Sequence, residues 1–149
     1  MKTTDELIKV LENSDNLETY LENNKDKLLD MNLPKDNFSN ISFTEYLNAL
    51  MKKYNLSKSQ IINNSNIQKN YAYQIFDGSK KPSRDKVLCL CFAIGLHMKE
   101  ANTLLTLAGH SILYPRIKRD SIISFGLEKK ASLIDINITL HEMDEAILE

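Results

Sequence analysis

The sequence predicts an all-α protein, and three kinds of observation support that fold class. Apolar residues recur at intervals of three and four in successive segments from residue 43 onward, which is the spacing of helices that bury one face. Serines precede several of these segments, where a hydroxyl can cap a helix. Asparagine or glycine follows them, and both tolerate the left-handed backbone that closes a helix. With 149 residues, 42% of them hydrophobic, the chain can bury one ordinary core.

The first element is an acidic helical N-terminal extension over residues 1–40. Its apolar residues suggest two amphipathic helices broken near residues 13–16, and residues 34–40 are typical of a linker. Five lysines stand against nine carboxylates, so the segment carries a net charge of −4. Three roles are open: packing on the rest of the chain, recruiting a partner, or shielding a basic surface of the same chain.

Residues 43–54 are predicted to form a supporting helix. Its inward residues recur at helical spacing and are Phe43, Tyr46, Leu47, Leu50 and Met51. Two further helices are predicted after residue 82: Ser83 caps one that ends at Gly95, and another covers 98–109.

Residues 56–82 predict two short helices joined by a tight corner. Ser57 can cap the first, which extends from Lys58 to about Ser65. Asn66 suits the bend, because asparagine adopts left-handed backbone more readily than any residue except glycine. The second helix covers 68–76.

A step of 100° per residue gives this second helix an inward and an outward side. The inward residues are Tyr71, Ala72 and Ile75, and the outward residues are Lys69, Asn70, Tyr73 and Gln74. Asparagine and glutamine match the N7 and N6 edge of adenine, and lysine can donate to guanine O6 and N7. Tyr73 could stack or contact a thymine methyl group.

A basic loop follows the second helix. Gly78 permits a sharp reversal, and Pro82 ends the loop. Between them Ser79, Lys80 and Lys81 place hydroxyl and ammonium donors where a phosphate backbone would run.

Residues 56–82 resemble, without a gap, the helix-turn-helix proteins of the lambda repressor and Cro type, often called the XRE family. The resemblance implies a five-helix DNA-binding bundle over about 41–110. It implies base reading by Gln68, Lys69, Asn70, Tyr73 and Gln74, and phosphate contacts by Ser57, Lys58, Ser79, Lys80 and Lys81. Three residues depart from the family pattern: Ile62 replaces a small alanine, Phe76 replaces a glutamate that often organises the loop, and Asn66 replaces the usual glycine.

Charge is distributed unevenly along the chain. The formal net charge is −1, but residues 41–90 carry +5 and residues 91–149 carry −2. The expected electrostatic footprint for phosphate consists of Lys52, Lys53, Lys58, Lys69, Lys80, Lys81, Arg84 and Lys86. The alternative is a solvated lysine-rich surface. A second basic cluster, Arg116, Lys118 and Arg119, is expected to be solvated rather than to extend the DNA contact or to hold a partner.

Residues 111–149 are predicted to form a C-terminal helical extension. Pro115 fits the first turn of a helix through Phe125, and Gly126 would end or bend it. Ser132 can cap a last helix with an apolar stripe made of Ile136, Leu140, Met143 and Ile147. The stripe would be buried within the chain or against a second copy. Dimeric relatives of this type hold two recognition helices about 34 Å apart, so a homodimer is expected.

Other classes of site have little support. Cys89 and Cys91 lie about 200° apart on a predicted helix, with no further cysteine in the chain, so we expect reduced packing residues and no metal site. The three histidines are scattered. There is no glycine-rich phosphate loop, serine elbow or convincing carboxylate pair, so neither catalysis nor a cofactor is expected. Without a signal-like or membrane-length apolar run, the chain is expected in the cytoplasm.

The function predicted from the sequence is sequence-specific binding of double-stranded DNA by a small bacterial or phage-type transcriptional regulator that occupies an operator. The alternative is a helical protein-interaction adaptor or antitoxin-like partner that keeps the helix-turn-helix shape. Near-neutral total charge, the aromatic residues 71, 73 and 76, and the extensions at both ends favour the alternative.

Overall fold

The computed structural model describes residues 41–149, and all regular secondary structure in this range is helical. The seven described helices are α1 (Phe43–Lys53), α2 (Lys58–Ser65), α3 (Lys69–Asp77), α4 (Arg84–Ile94), α5 (Met98–Leu107), α6 (Lys118–Glu128) and α7 (Leu133–Glu142). The prediction for residues 1–40 lies outside the described part. None of the described helices has the length and apolar character needed to cross a membrane.

Local capping chemistry sets most of the helix ends. Four described helices begin after a serine whose hydroxyl accepts the N–H three residues further on: Ser42, Ser57, Ser83 and Ser132. Asn66 ends α2 with φ 57° and ψ 26°, and Gly95 ends α4 with φ 82°. The predicted caps of α2, α4 and α7 are therefore confirmed.

Helix α4 lies at the centre of the described fold. Every residue from 87 to 94 is buried, whereas a helix at the surface buries one face only. Helices α2, α5 and α7 all pack against α4, while α1 packs against α3 and α5. The helix that precedes the corner is thus fixed directly to the centre of the core.

Apolar residues beyond 110 belong to the same hydrophobic core as those of the preceding helices. Ile122 and Ile123 of α6 are almost completely buried, as are Ile136 and Leu140 of α7. The first half of the predicted apolar stripe is therefore used within the chain. The second half does not continue as a helix: α7 ends at Glu142, and Ile147 lies beyond it with 38% of its surface exposed.

Two predicted details of α6 are wrong. The helix begins at Lys118, and Pro115 precedes it in a turn in which the Ile117 N–H donates to the Tyr114 carbonyl at 3.2 Å. Gly126 does not end the helix but lies inside it. A Cβ at this position would stand 2.6 Å from Cδ1 of Ile136, so glycine allows α6 and α7 to approach closely.

Two reciprocal ion pairs connect the start of α4 to the start of α6. The guanidinium of Arg84 donates to both carboxylate oxygens of Asp120 at 3.0 and 2.9 Å, and that of Arg119 donates to both oxygens of Asp85 at 3.1 and 3.0 Å. Because each arginine is held by two bonds in a fixed plane, the pairs define the relative orientation of the two helices. The basic loop immediately precedes this connection.

We expect Gly126→Ala to destabilise the protein by about 1 kcal/mol, because overpacking costs about 1 to 3 kcal/mol and alanine regains up to about 1 kcal/mol of helix propensity. Urea denaturation measures the change. The Ile136→Val substitution removes the obstructing Cδ1 atom, so the double variant should lose less than the sum of the two single variants. A stabilising effect of Gly126→Ala would contradict the close approach of α6 and α7.

Candidate nucleic-acid interface

Buried side chains stabilise the corner between α2 and α3. Ile61 and Ile67 are buried on either side of it. The Ser65 hydroxyl, also buried, donates to the Ile62 carbonyl at 3.2 Å and accepts the Ile67 N–H at 3.4 Å. With Asn66 in the left-handed region, these contacts turn the chain sharply without leaving the Ser65 hydroxyl or the Ile67 N–H without a partner. The orientation of α3 is therefore fixed by the core below the corner.

Helix α3 has one buried and one exposed side. Ala72, Ile75 and Phe76 are buried and Tyr71 is half-buried, in agreement with the predicted inward side. The five residues predicted to read bases are all exposed, and we call them the reading face: Gln68, Lys69, Asn70, Tyr73 and Gln74. The predicted phosphate contacts are exposed as well: Ser57, Lys58, Ser79, Lys80 and Lys81.

The reading face offers different chemistry at its two ends. Gln68 caps α3, and its side-chain oxygen accepts the Tyr71 N–H at 3.0 Å, so the amide NH₂ is the group left to contact a ligand. Asn70 and Gln74 make no side-chain hydrogen bond within residues 41–149, so each keeps both a donor and an acceptor. Asn70 and Gln74 can therefore each donate one hydrogen bond to an adenine edge and accept another. Gln68 is not free to do so while its side-chain oxygen caps α3.

The basic loop, residues 78–82, folds back on the end of α3. Gly78 has φ 87°, Asp77 Oδ1 accepts the Ser79 N–H at 2.8 Å, and the Gln74 carbonyl accepts the Lys80 N–H at 3.1 Å. The Ser79 hydroxyl donates to the same carbonyl at 3.4 Å, so this hydroxyl faces the helix. Hydrogen bonding from Ser79 holds the pKa of the Asp77 carboxyl below its usual range.

Asp77 was not identified as a functional residue from the sequence, although the order Asp-Gly-Ser is typical of a turn. An aspartate commonly accepts the backbone N–H two residues ahead, which forms an Asx-turn. This geometry leaves the side chains of Lys80 and Lys81 exposed at the end of α3.

Phe76 connects a predicted phosphate contact to the reading face. The Lys58 ammonium lies 5.8 Å from the centre of the Phe76 ring, and the Tyr73 ring meets the same ring edge-on with centroids 6.5 Å apart. The sequence marked Phe76 as a lost charge and as one of the aromatic residues that favour the adaptor, but not as a contact of Lys58. Its contacts depend on how α2 and α3 cross, which local spacing does not reveal.

The predicted electrostatic footprint loses two members to internal ion pairs. Arg84 binds Asp120 and the carbonyls of Ser111 and Ile112, so its guanidinium is used within the fold, contrary to its expected place in the footprint. Lys53 forms an ion pair with Glu100, which connects α1 to α5. Among the other residues of this footprint, the exposed lysines without an ion pair in the described range are Lys52, Lys58, Lys69, Lys80 and Lys81, and Lys86 is half-buried.

The second basic cluster also has internal partners. Arg119 binds Asp85 and donates to the carbonyls of Ala146 and Ile147, and Lys118 donates to the carbonyl of Met143 at 2.7 Å. The expectation of a purely solvated cluster was therefore wrong for these two residues. They hold the last residues of the chain against α6, and Arg116 stays exposed.

Both cysteines are buried and reduced, as predicted. Burial raises the pKa of the Cys89 thiol to about 11 and raises that of Cys91 as well, which disfavours the thiolate needed for reactivity or metal binding. Within residues 41–149 no three histidine, cysteine or carboxylate side chains gather at metal-binding distance.

The chain matches no family in a comparison with protein families, no protein among curated sequences and no solved structure. Its function has to be inferred from the residues described above.

We expect Arg84→Ala to destabilise the fold by about 3 kcal/mol, because it leaves the buried Asp120 carboxylate without its cation. Arg116→Ala is the matched control, since Arg116 is exposed, and should change stability by less than about 0.5 kcal/mol. Chemical denaturation of both variants measures the difference. Equal, small effects would show that the Arg84 pair does not hold α4 to α6.

Proposed function

We propose that this chain binds double-stranded DNA through α3, with the reading face in the major groove and lysines on the flanking phosphates. The observation that carries the proposal is the exposure of all ten predicted contact residues on α2, α3 and the basic loop, above a corner that the core fixes. A helix is the element that fits the major groove, and amide side chains at its surface suit the edges of bases.

The resemblance to lambda repressor and Cro-type proteins agrees with this proposal. Helices α1 to α5 correspond in number and order to the five-helix bundle that the resemblance implies. Phe76 removes a carboxylate that often organises the loop in this family. The neighbouring Asp77 carboxylate organises the loop here by accepting the Ser79 N–H. The departure at Ile62 leaves a half-buried side chain packed against the core.

The mechanism we propose is operator occupancy. Lysines fix the position of the protein on phosphates, the reading face selects the sequence, and the bound protein blocks or assists polymerase according to where the operator lies. We propose a cytoplasmic bacterial or phage-type regulator that binds as a homodimer, with two copies of α3 about one DNA turn apart, roughly 34 Å.

The first test separates base reading from phosphate binding. A preferred site is selected from a random duplex pool, and the affinities for this site and for mismatched sites are compared. We expect Lys69→Ala or Gln74→Ala to reduce discrimination by about 1 to 3 kcal/mol, because each removes a contact to a base edge. Lys80→Ala should weaken binding to all sequences alike.

Lys99→Ala is the matched control, because Lys99 is exposed on α5 and lies outside the proposed interface. It should leave affinity and discrimination unchanged. If the Lys69, Gln74 and Lys80 variants all weaken every sequence equally, the reading face is assigned to the wrong residues.

The second test is the salt dependence of binding. With three lysines on phosphates, Lys58, Lys80 and Lys81, the logarithm of the association constant should fall against the logarithm of salt with a slope of about −3 per subunit. The Lys80→Ala/Lys81→Ala double variant should reduce this slope by about 2. Fluorescence anisotropy of labelled duplexes measures both. Absence of binding at low salt would contradict the proposal.

The second candidate function is a protein-interaction adaptor or antitoxin-like partner, and exposed apolar residues on α7 favour it. Ile134 and Ile138 stand one helical turn apart with 72% and 43% of their surfaces exposed. A chain that fails to bind duplex DNA at low salt would be expected to use such a surface instead.

A further inference from the structure

The exposed lysines on α2, α3 and the basic loop form one positively charged surface. Lys58, Lys69, Lys80 and Lys81 are exposed there, and none has an ion-pair partner in the range 41–149; we call these four the basic face. Arg84 and Arg119 are instead neutralised internally by Asp120 and Asp85, and basic residues such as Lys99, Arg116 and Lys129 belong to other parts of the fold. The basic face therefore offers four ammonium groups without an ion pair where the DNA is proposed to bind.

The start of α1 lies beside the basic loop. A Cβ placed on Gly78 would stand 3.4 Å from the Thr44 methyl group, and the Ser42 hydroxyl lies 3.1 Å from that of Thr44. Helix α1 also packs along α3. Residues 1–40 therefore join the described fold next to the basic loop and not on the opposite side of the core.

The segment that joins at this point is acidic. It carries −4, against +5 for residues 41–90. Its nearest carboxylate, Asp36, is six residues before Ser42, so an extended chain would place it at most about 20 Å from the start of α1. Asp30 and Asp26 follow at longer reach. A short tether gives an effective local concentration on the order of millimolar, which a separate protein rarely reaches.

We propose that the acidic residues 1–40 occupy the basic face of their own chain and compete there with the phosphates of duplex DNA. The inference rests on the proposed function for its consequence, but the contact itself is a property of the free protein. Carboxylates and phosphates require the same partners, ammonium groups and N–H donors, so the two ligands exclude each other. Occupation of the basic face by the acidic segment therefore lowers the apparent affinity for DNA in proportion to the fraction of protein whose basic face stays free.

The competition is tested in the full-length chain by neutralising carboxylates. The N-terminal variant carries Asp26→Asn, Asp30→Asn and Asp36→Asn. The matched control carries Glu142→Gln, Asp144→Asn and Glu149→Gln, three exposed residues at the other end of the chain. Both variants change the net charge by the same amount, so a difference between them reports position and not total charge.

We expect the N-terminal variant to bind duplex DNA about three- to tenfold more tightly than the parent at low salt, a factor typical of coupled sites. The control should gain less than about twofold, and the difference should shrink as salt screens the contact. Equal gains in the two variants, or no gain in either, would overturn the competition while leaving DNA binding itself in place.

A second readout needs no DNA. Carbodiimide treatment of dilute protein joins carboxylates to ammonium groups that touch, and mass spectrometry of the monomer band identifies the joined residues. We expect links from carboxylates in 1–40 to Lys69, Lys80 or Lys81, reduced by added duplex. Links only to lysines outside the basic face, such as Lys99 or Lys129, or no links, would overturn the contact.

The two readouts keep the two proposals distinguishable. If no variant binds any duplex, the proposed function fails and the competition fails with it, whereas the crosslinks still decide whether the acidic segment occupies the basic face. If DNA binds but the crosslinks avoid the basic face, the proposed function stands and the competition fails.

Discussion

The burial of α4 from residue 87 to its end is the constraint on which the rest of the described structure depends. All eight residues from 87 to 94 are removed from water, so helices must cover this segment on every side, and α2, α5 and α7 do so. Each buried aliphatic side chain contributes about 1.5 to 3 kcal/mol, so the covering helices have little freedom to shift. Because α2 is one of them, the corner that follows it and the orientation of α3 are set by the core.

The charged residues divide into two groups with different roles. Arg84, Asp85, Arg119 and Asp120 satisfy one another and tie the segment after the basic loop to α6. Such pairs gain little net free energy after desolvation, but they cost much when one partner is lost, so they define geometry more than they add stability. The lysines of α2, α3 and the basic loop have no such partners in the described range, and their charge is available to a ligand.

Three features meet at the end of α3. The reading face ends there at Gln74, whose carbonyl accepts hydrogen bonds from the basic loop, and the start of α1 touches Gly78 of that loop. A ligand on the loop therefore lies close both to the residues proposed to read bases and to the point where the acidic segment joins. Regulation by that segment would need no conformational change in the core, since competition for the same lysines is sufficient.

The sequence by itself determined the features that depend on neighbouring residues: the all-helical class, the caps Ser57, Ser83 and Ser132, the left-handed stop at Asn66, and the side of α3 that stays exposed. Helical periodicity and capping act within one turn, so local spacing records them. Only the tertiary structure decided that Gly126 lies inside α6, where Ile136 leaves no room for a Cβ, and that Arg84 binds Asp120 instead of adding to the electrostatic footprint. It also decided that the side-chain oxygen of Gln68 accepts the Tyr71 N–H and that the hydroxyl of Ser79 donates to the Gln74 carbonyl. These outcomes depend on which atoms the packing brings together, and for Gly126 and Arg84 the partners lie 10 and 36 positions away, beyond the range of any local pattern.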